Sequence, residues 1–170
     1  MHSLDIARWL AESLGALPAW FVTVLISMTP FVELRLSIPV AIGFYRMDPV
    51  YAFIIAVIGN LIPVPFILVF LGKLERWLSG RYKRWERFFN WLFRYTRKRA
   101  TESIRKYEMV GLTLYVAIPF PVTGAWTGAL IAYVFDLDLK RAFASITVGV
   151  LIAGVIVTLA VVGLISLWGV

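Results

Sequence analysis

The sequence predicts an all-α integral membrane protein, and three observations carry that reading. Of the 170 residues 61% are hydrophobic and only 16% are charged, against about 45–50% and 25% in soluble globular chains. The mean hydropathy is +0.83. Uncharged runs cover 49–72, 109–135 and 142–170, each near or above the ~20 residues that cross a bilayer core as a helix. No long polar stretch remains to build a soluble domain, so 1–170 reads as a single membrane domain.

Residues 1–17 carry Asp5 and Glu12 and lack a basic leading segment, so they are expected to be retained rather than cleaved as a signal peptide. Leu4, Ala7, Leu10, Ala11 and Leu14 recur at helical spacing behind Ser3, the pattern of a helix lying along the membrane interface.

Residues 18–45 are long enough for one span, but TPFVELRLSIP sets Pro30 and Pro39 around the only two charges between Ser13 and Tyr45, Glu33 and Arg35. Each proline removes a helix hydrogen bond and clashes one turn back. The flanking pieces, about 11 residues from Ala19 and about 10 from Leu36, each rise about 15 Å, half of a ~30 Å core. The expectation is a re-entrant helical hairpin followed by a transmembrane helix over 49–72, in which Asn60 is the strongly polar group.

The stretch 73–108 holds 12 of the 17 Lys and Arg and four acids. Leu74, Leu78, Tyr82, Trp85, Phe89 and Leu92 fall at steps of three or four, with cations on the other face. Aromatics mixed with Arg can bind single-stranded nucleic acid. Between hydrophobic segments, however, the same pattern suits an amphipathic cytoplasmic linker attracted to anionic lipid head groups, and no nucleic-acid partner is expected.

The second half repeats the order of parts. Met109 to Phe135 is cut by Pro119, Pro121 and Gly124 into pieces of about 10 and 14 residues, a second hairpin, and 142–168 is a second transmembrane helix. Pro30-Phe31 aligns with Pro119-Phe120 at an offset of 89, and Asp48, Ala52-Phe53, Gly59 and Leu61 with Asp138, Ala142-Phe143, Gly149 and Leu151 at 90. If each half is a hairpin plus one span, the halves are inverted; if each is two full spans, they are parallel. Hairpins put 14 cations on the linker side against two, full spans 13 against three, so the charge bias barely separates them. Broken backbone at membrane depth implies a cavity lined by protein or water.

With no cysteine and a single histidine, His2, the sequence offers no thiol chemistry and no ordinary metal or haem site, and no cofactor is expected. Without clustered carboxylates or a nucleophile with a base at membrane depth, an enzyme is not expected. What stands out is the ion pair, because a charge near mid-membrane costs a few kcal/mol and usually marks a functional path.

Two residues apart on a helix, Glu33 and Arg35 point to opposite sides. On turn-like backbone they can meet, and the pair could then merely lock the hairpin. In the functional reading Glu33 carries a proton while Arg35 offers a fork for phosphate or carboxylate. Half-helix N-termini add positive dipole. In the second hairpin Thr123, Thr127 and the backbone at Gly124 can hydrogen-bond, and Trp126 can line an apolar site. Asn60 can reach a hairpin or a ligand, and the small residues Gly124, Ala125, Gly128 and Ala129 allow close packing.

The motifs PFVELRLSIP and PFPVTGAWTGA resemble the small multidrug export family of prokaryotic membrane proteins, itself similar to the DedA superfamily, over nearly the whole chain. The DedA likeness implies two facing inverted hairpins and proton-coupled movement of lipids such as polyprenyl phosphates or phospholipids, with Glu33 as the hairpin acid and Arg35 its basic neighbour. DedA proteins typically carry a further Arg in the second hairpin, which here is neutral.

The expectation is therefore a proton-coupled transporter or flippase for an amphipathic substrate, with a small multidrug or cation exporter and a non-transporting scaffold as alternatives. It would sit in the plasma membrane of a prokaryote as a multi-pass protein among membrane lipids. A homodimer is one way for so few spans to enclose a path, although no residue specifies it.

Overall fold

The computed structural model describes residues 17–99, 102–119 and 123–168; the interfacial helix expected over 1–17 and Pro121 lie outside them, save Leu17. Among the described residues the chain is helical throughout, without a strand.

Helix α1, Ala19–Ser27, starts behind Pro18, whose carbonyl accepts from the Phe21 and Val22 amides. It stops at Met28, before the turn that holds Pro30. Helix α2, Glu33–Pro39, resumes the chain and passes straight through Pro39 into a π-helical turn, Val40–Phe44. Pro39 therefore does not interrupt the backbone as Pro30 does. The widened turn that follows is a recognised way for a helix to absorb a local misfit such as the donor missing at proline.

Asp48 caps the next helix, its Oδ1 accepting from the Val50 and Tyr51 amides at 3.0 Å, with Pro49 at the first helical position where its missing N–H costs nothing. Helix α3, Pro49–Leu61, joins α4, Pro63–Ser79, through Ile62 in helical conformation. Together they form one apolar rod of 31 residues, about 46 Å long. The rod runs past the Gly72 boundary suggested by charge, because Lys73, Glu75 and Arg76 are good helix formers that carry it on to Gly80.

Helices α5, Lys83–Arg99, and α6, Glu102–Ala117, follow. Helix α7, Ala125–Val134, is only ten residues, about 15 Å. Helix α8, Leu139–Trp168, is again long enough to cross a bilayer.

Matching contacts recur 89 to 91 residues apart. Arg46 and Asp136 both take left-handed backbone, with φ of 54° and 53°. The amides of Met47 and Leu137 both reach back, at 2.9 Å, to Ala41 and Ala132. Asp138 caps α8 as Asp48 caps α3, accepting from the Arg141 amide at 2.9 Å. Gly59 lets α3 approach α1, where a Cβ would lie 2.9 Å from the Val24 carbonyl oxygen. Gly149 does the same between α8 and α6, 2.8 Å from that of Thr113.

The two long helices run antiparallel. Gly154 of α8 packs on Phe53 and Val57 of α3, whereas Leu139 and Phe143 share a groove with Pro65, Leu68 and Val69 of α4. Tyr133, at the end of α7, lies against Gly72 and against Phe93 of α5. The turn after α7 thus sits near α5, and the turn with Arg46 lies roughly 35 Å away along the rod at 1.5 Å per residue. Between them Leu34, Ile38, Leu112, Val116, Ile131 and Ile146 form the dry centre.

The two close approaches predict a sharp steric penalty. Gly59→Val or Gly149→Val drives a side chain into backbone on the facing helix, and thermal unfolding in detergent should show each variant destabilised by about 2–3 kcal/mol. Gly163→Val, where a Cβ meets nothing within 4 Å, should be close to neutral.

Candidate functional site

The break after α1 and the break before α7 meet. Glu33 opens α2 with φ 50°, left-handed backbone that a non-glycine residue rarely adopts and that costs on the order of 1–3 kcal/mol. The residue is almost wholly buried, 2% exposed. The strained backbone sits at a buried acid, where such strain tends to mark function.

The carboxylate is held from three sides. Arg35 Nη1 lies 3.4 Å from Oε2, an ion pair made possible by the turn-like start of α2. Asn60 Nδ2, from α3, donates to the same oxygen at 3.5 Å. The backbone amide of Trp126, in the first turn of α7, donates to Oε1 at 3.3 Å. All three exceed the usual range of about 2.7–3.2 Å for N–H···O bonds. The Ala125 amide beside Trp126 also donates to the carboxylate, so the acid is surrounded by donors.

Arg35 reaches the other side of the second break. Its Nη2 donates to the Ile118 carbonyl and to the Thr123 hydroxyl, both at 3.2 Å, while Thr123 Oγ1 donates to the same carbonyl at 2.7 Å. The cation thus rests on the carbonyl end of α6 and the anion on the amide end of α7, the arrangement that both helix dipoles favour. In return Trp126 Nε1 donates to the Met28 carbonyl at the end of α1, 3.1 Å away. Each half ties down the other's broken end.

Gly124 makes the approach of Glu33 to α7 possible. Its φ of 157° and ψ of −166° suit glycine, and a Cβ built there would collide with Glu33 Oε2. Thr127 lies next to Trp126 on α7 and is half-buried. Pro30 and Pro119 stand exposed at the two breaks, and Pro39 lies one turn past Arg35 inside α2.

Some contributors lacked a sequence signal. The Met28 and Ile118 carbonyls and the Trp126 amide are backbone groups, which residue identity does not reveal. Ser27 and Ser37, buried and joined hydroxyl to hydroxyl, brace α1 against α2 beside the site. Two small polar residues in an apolar run were their only trace.

Two buried polar atoms of the site, Arg35 Nε and Asn60 Oδ1, have no hydrogen-bond partner. Such orphans are costly in an interior. They leave the site with hydrogen-bonding capacity to spare. Among the described residues no group of three His, Cys, Asp or Glu could hold a metal ion.

Gly124→Ala is expected to push Glu33 off the end of α7, lowering stability by about 1–3 kcal/mol. Trp126→Phe, which keeps the ring but deletes the bond to Met28, should cost only about 1 kcal/mol. Parallel melting curves in detergent check both, and equal losses would contradict the geometry.

A family described as "Putative small multi-drug export protein" matches residues 33–156, from Glu33 itself to the middle of α8. No curated protein and no solved structure matches the chain. The family match covers most of the 170 residues and contains Glu33, Arg35, Asn60, Thr123, Gly124 and Trp126; among the described residues two helices are long and apolar enough to cross a bilayer. The chain belongs to the small multi-drug export family and is a membrane protein.

Proposed function

We propose that the protein is a proton-coupled transporter that moves an amphipathic molecule with an anionic head, such as a polyprenyl phosphate or a phospholipid. Its halves are inverted repeats, each a re-entrant hairpin followed by a transmembrane helix. The observation that carries this reading is the meeting of Glu33 and Arg35 with both ends of the second break.

The inverted arrangement is supported by equivalent helices that run antiparallel, and by equivalent turns at Arg46 and Asp136 that lie at opposite ends of the α3–α4 rod. Helices α1 and α7, about 14 and 15 Å long, reach only halfway through a ~30 Å core. On this reading Lys140 and Arg141 share the cytoplasmic side with the 73–108 linker, as the positive-inside rule prefers, in the plasma membrane of a prokaryote.

Proton and substrate are linked through Arg35. With Glu33 ionised, the guanidinium is neutralised by a carboxylate 3.4 Å away. A proton on Glu33 removes that charge and leaves a forked cation, still aimed by Ile118 and Thr123, as the natural seat for phosphate. Orphaned Arg35 Nε and Asn60 Oδ1 add a donor and an acceptor for the incoming head group.

The family description favours a second reading, export of a lipophilic drug cation that binds Glu33 when the proton leaves. Arg35 stands where that cation would sit, and the repulsion makes the anionic substrate the better fit.

Reconstituted vesicles separate the two. With a fluorescent polyprenyl phosphate as probe, Glu33→Gln should lower transport at least tenfold and abolish its pH dependence, and Arg35→Ala should do as much. If Glu33→Gln transports at the parental rate with the same pH profile, the proton role is wrong. If Arg35→Ala instead raises uptake of an ethidium-type cation, the drug reading replaces ours.

A further inference from the structure

Helix α5 touches the site's own helix. It carries Lys83, Arg84, Arg87, Arg94, Arg97, Lys98 and Arg99 against one acid, Glu86. Trp85, Phe88 and Trp91 are exposed among those cations, while Phe89 is buried. A helix with exposed Trp and Phe set among Arg and Lys has the chemistry of an anionic bilayer surface, where aromatic rings seat at head-group level and each cation adds about 1 kcal/mol.

The same helix grips α7. The rings of Phe89 and Phe93 pack tilted with centroids 5.9 Å apart, and Phe93 lies 5.7 Å from the ring of Tyr133. Tyr133 also lies against Gly72, where a Cβ would stand 2.9 Å from the ring. Opposite Tyr133, at the far end of the same ten-residue helix, Trp126 presents its amide to Glu33. A helix of about 15 Å has little room to bend, so a shift imposed at Tyr133 is passed on to the Glu33 contact.

We infer that α5 docks on the anionic leaflet of the membrane and, through Phe93 and Tyr133, sets where α7 holds its N-terminus against Glu33, so that surface charge regulates the site. This rests on the reading that the Glu33 site governs transport. Ring packing transmits the shift because aromatic pairs hold defined geometries. The spacing supports it: Phe89 and Phe93, four residues apart, share the inward face of α5, which leaves Phe88 and Trp91, both exposed, to the lipid.

Hydrogen–deuterium exchange of the full chain in nanodiscs tests this without measuring transport, so it can fail while the Glu33 reading stands. Replacing a purely phosphatidylcholine disc by one with about a third phosphatidylglycerol should change exchange over 125–134 at least threefold, with 49–61 unaffected. Phe93→Ala should abolish that response, and Phe93→Leu, which keeps an apolar contact, should restore most of it. Arg87→Gln with Arg94→Gln should weaken it. The inference is overturned if α5 alone responds to phosphatidylglycerol, if the α7 response persists in Phe93→Ala, or if an RNA oligonucleotide elicits it and the lipid does not.

Discussion

The structure depends on two charges from one half of the chain standing at the two cut ends of the other half. A break in a helix at membrane depth leaves carbonyls on one side and amides on the other with no water to satisfy them. Arg35 answers the carbonyl side at Ile118 and Glu33 the amide side at Trp126. Separately, a carboxylate and a guanidinium in hydrocarbon are each expensive. Placed together across a break, each is paired by the other and by a helix end of opposite sign, which turns two liabilities and a gap into one neutral unit.

The rest of the fold serves that contact. Glu33 can reach across only from left-handed backbone and only past a glycine, which accounts for φ 50° at Glu33 and for Gly124 opposite it. The Trp126 indole on Met28 ties the two breaks together, and the Ser27–Ser37 pair braces the first. Gly59 seats α3 against α1 beside the site, and Gly149 seats α8 against α6. The bonds to Glu33 from Arg35, Asn60 and the Trp126 amide nevertheless remain long, at 3.3–3.5 Å.

Several of these features can be read in the sequence for a physical reason. Ions in an apolar run, prolines beside them and aspartates ahead of long apolar stretches are chemical extremes, and each admits few structural roles. Glu33 with Arg35, Pro30, and the Asp48 and Asp138 caps are of that kind. Pro39 illustrates the limit: in sequence it matches Pro30, but a wide turn absorbs it because the helix beyond has buried apolar contacts to make. Pro63 and Pro65 are likewise carried inside a continuous rod. The Thr123 hydroxyl was legible as a candidate, but the other second-half partners of Glu33 and Arg35, the Trp126 amide and the Ile118 carbonyl, were hidden for a different reason. They are backbone atoms more than 80 residues away, and a backbone group has no letter of its own.

The central claim is that two equivalent halves face each other in opposite orientations about the Glu33 site. The chain contains no cysteine, so single cysteines at Met47 and Leu137, in the two equivalent turns, can be probed with an impermeant maleimide in sealed vesicles of known orientation. The account predicts labelling from opposite faces, Leu137 from the side that carries the basic linker. Labelling of both from the same face would contradict it, because the broken helices would then be full spans and the two halves parallel.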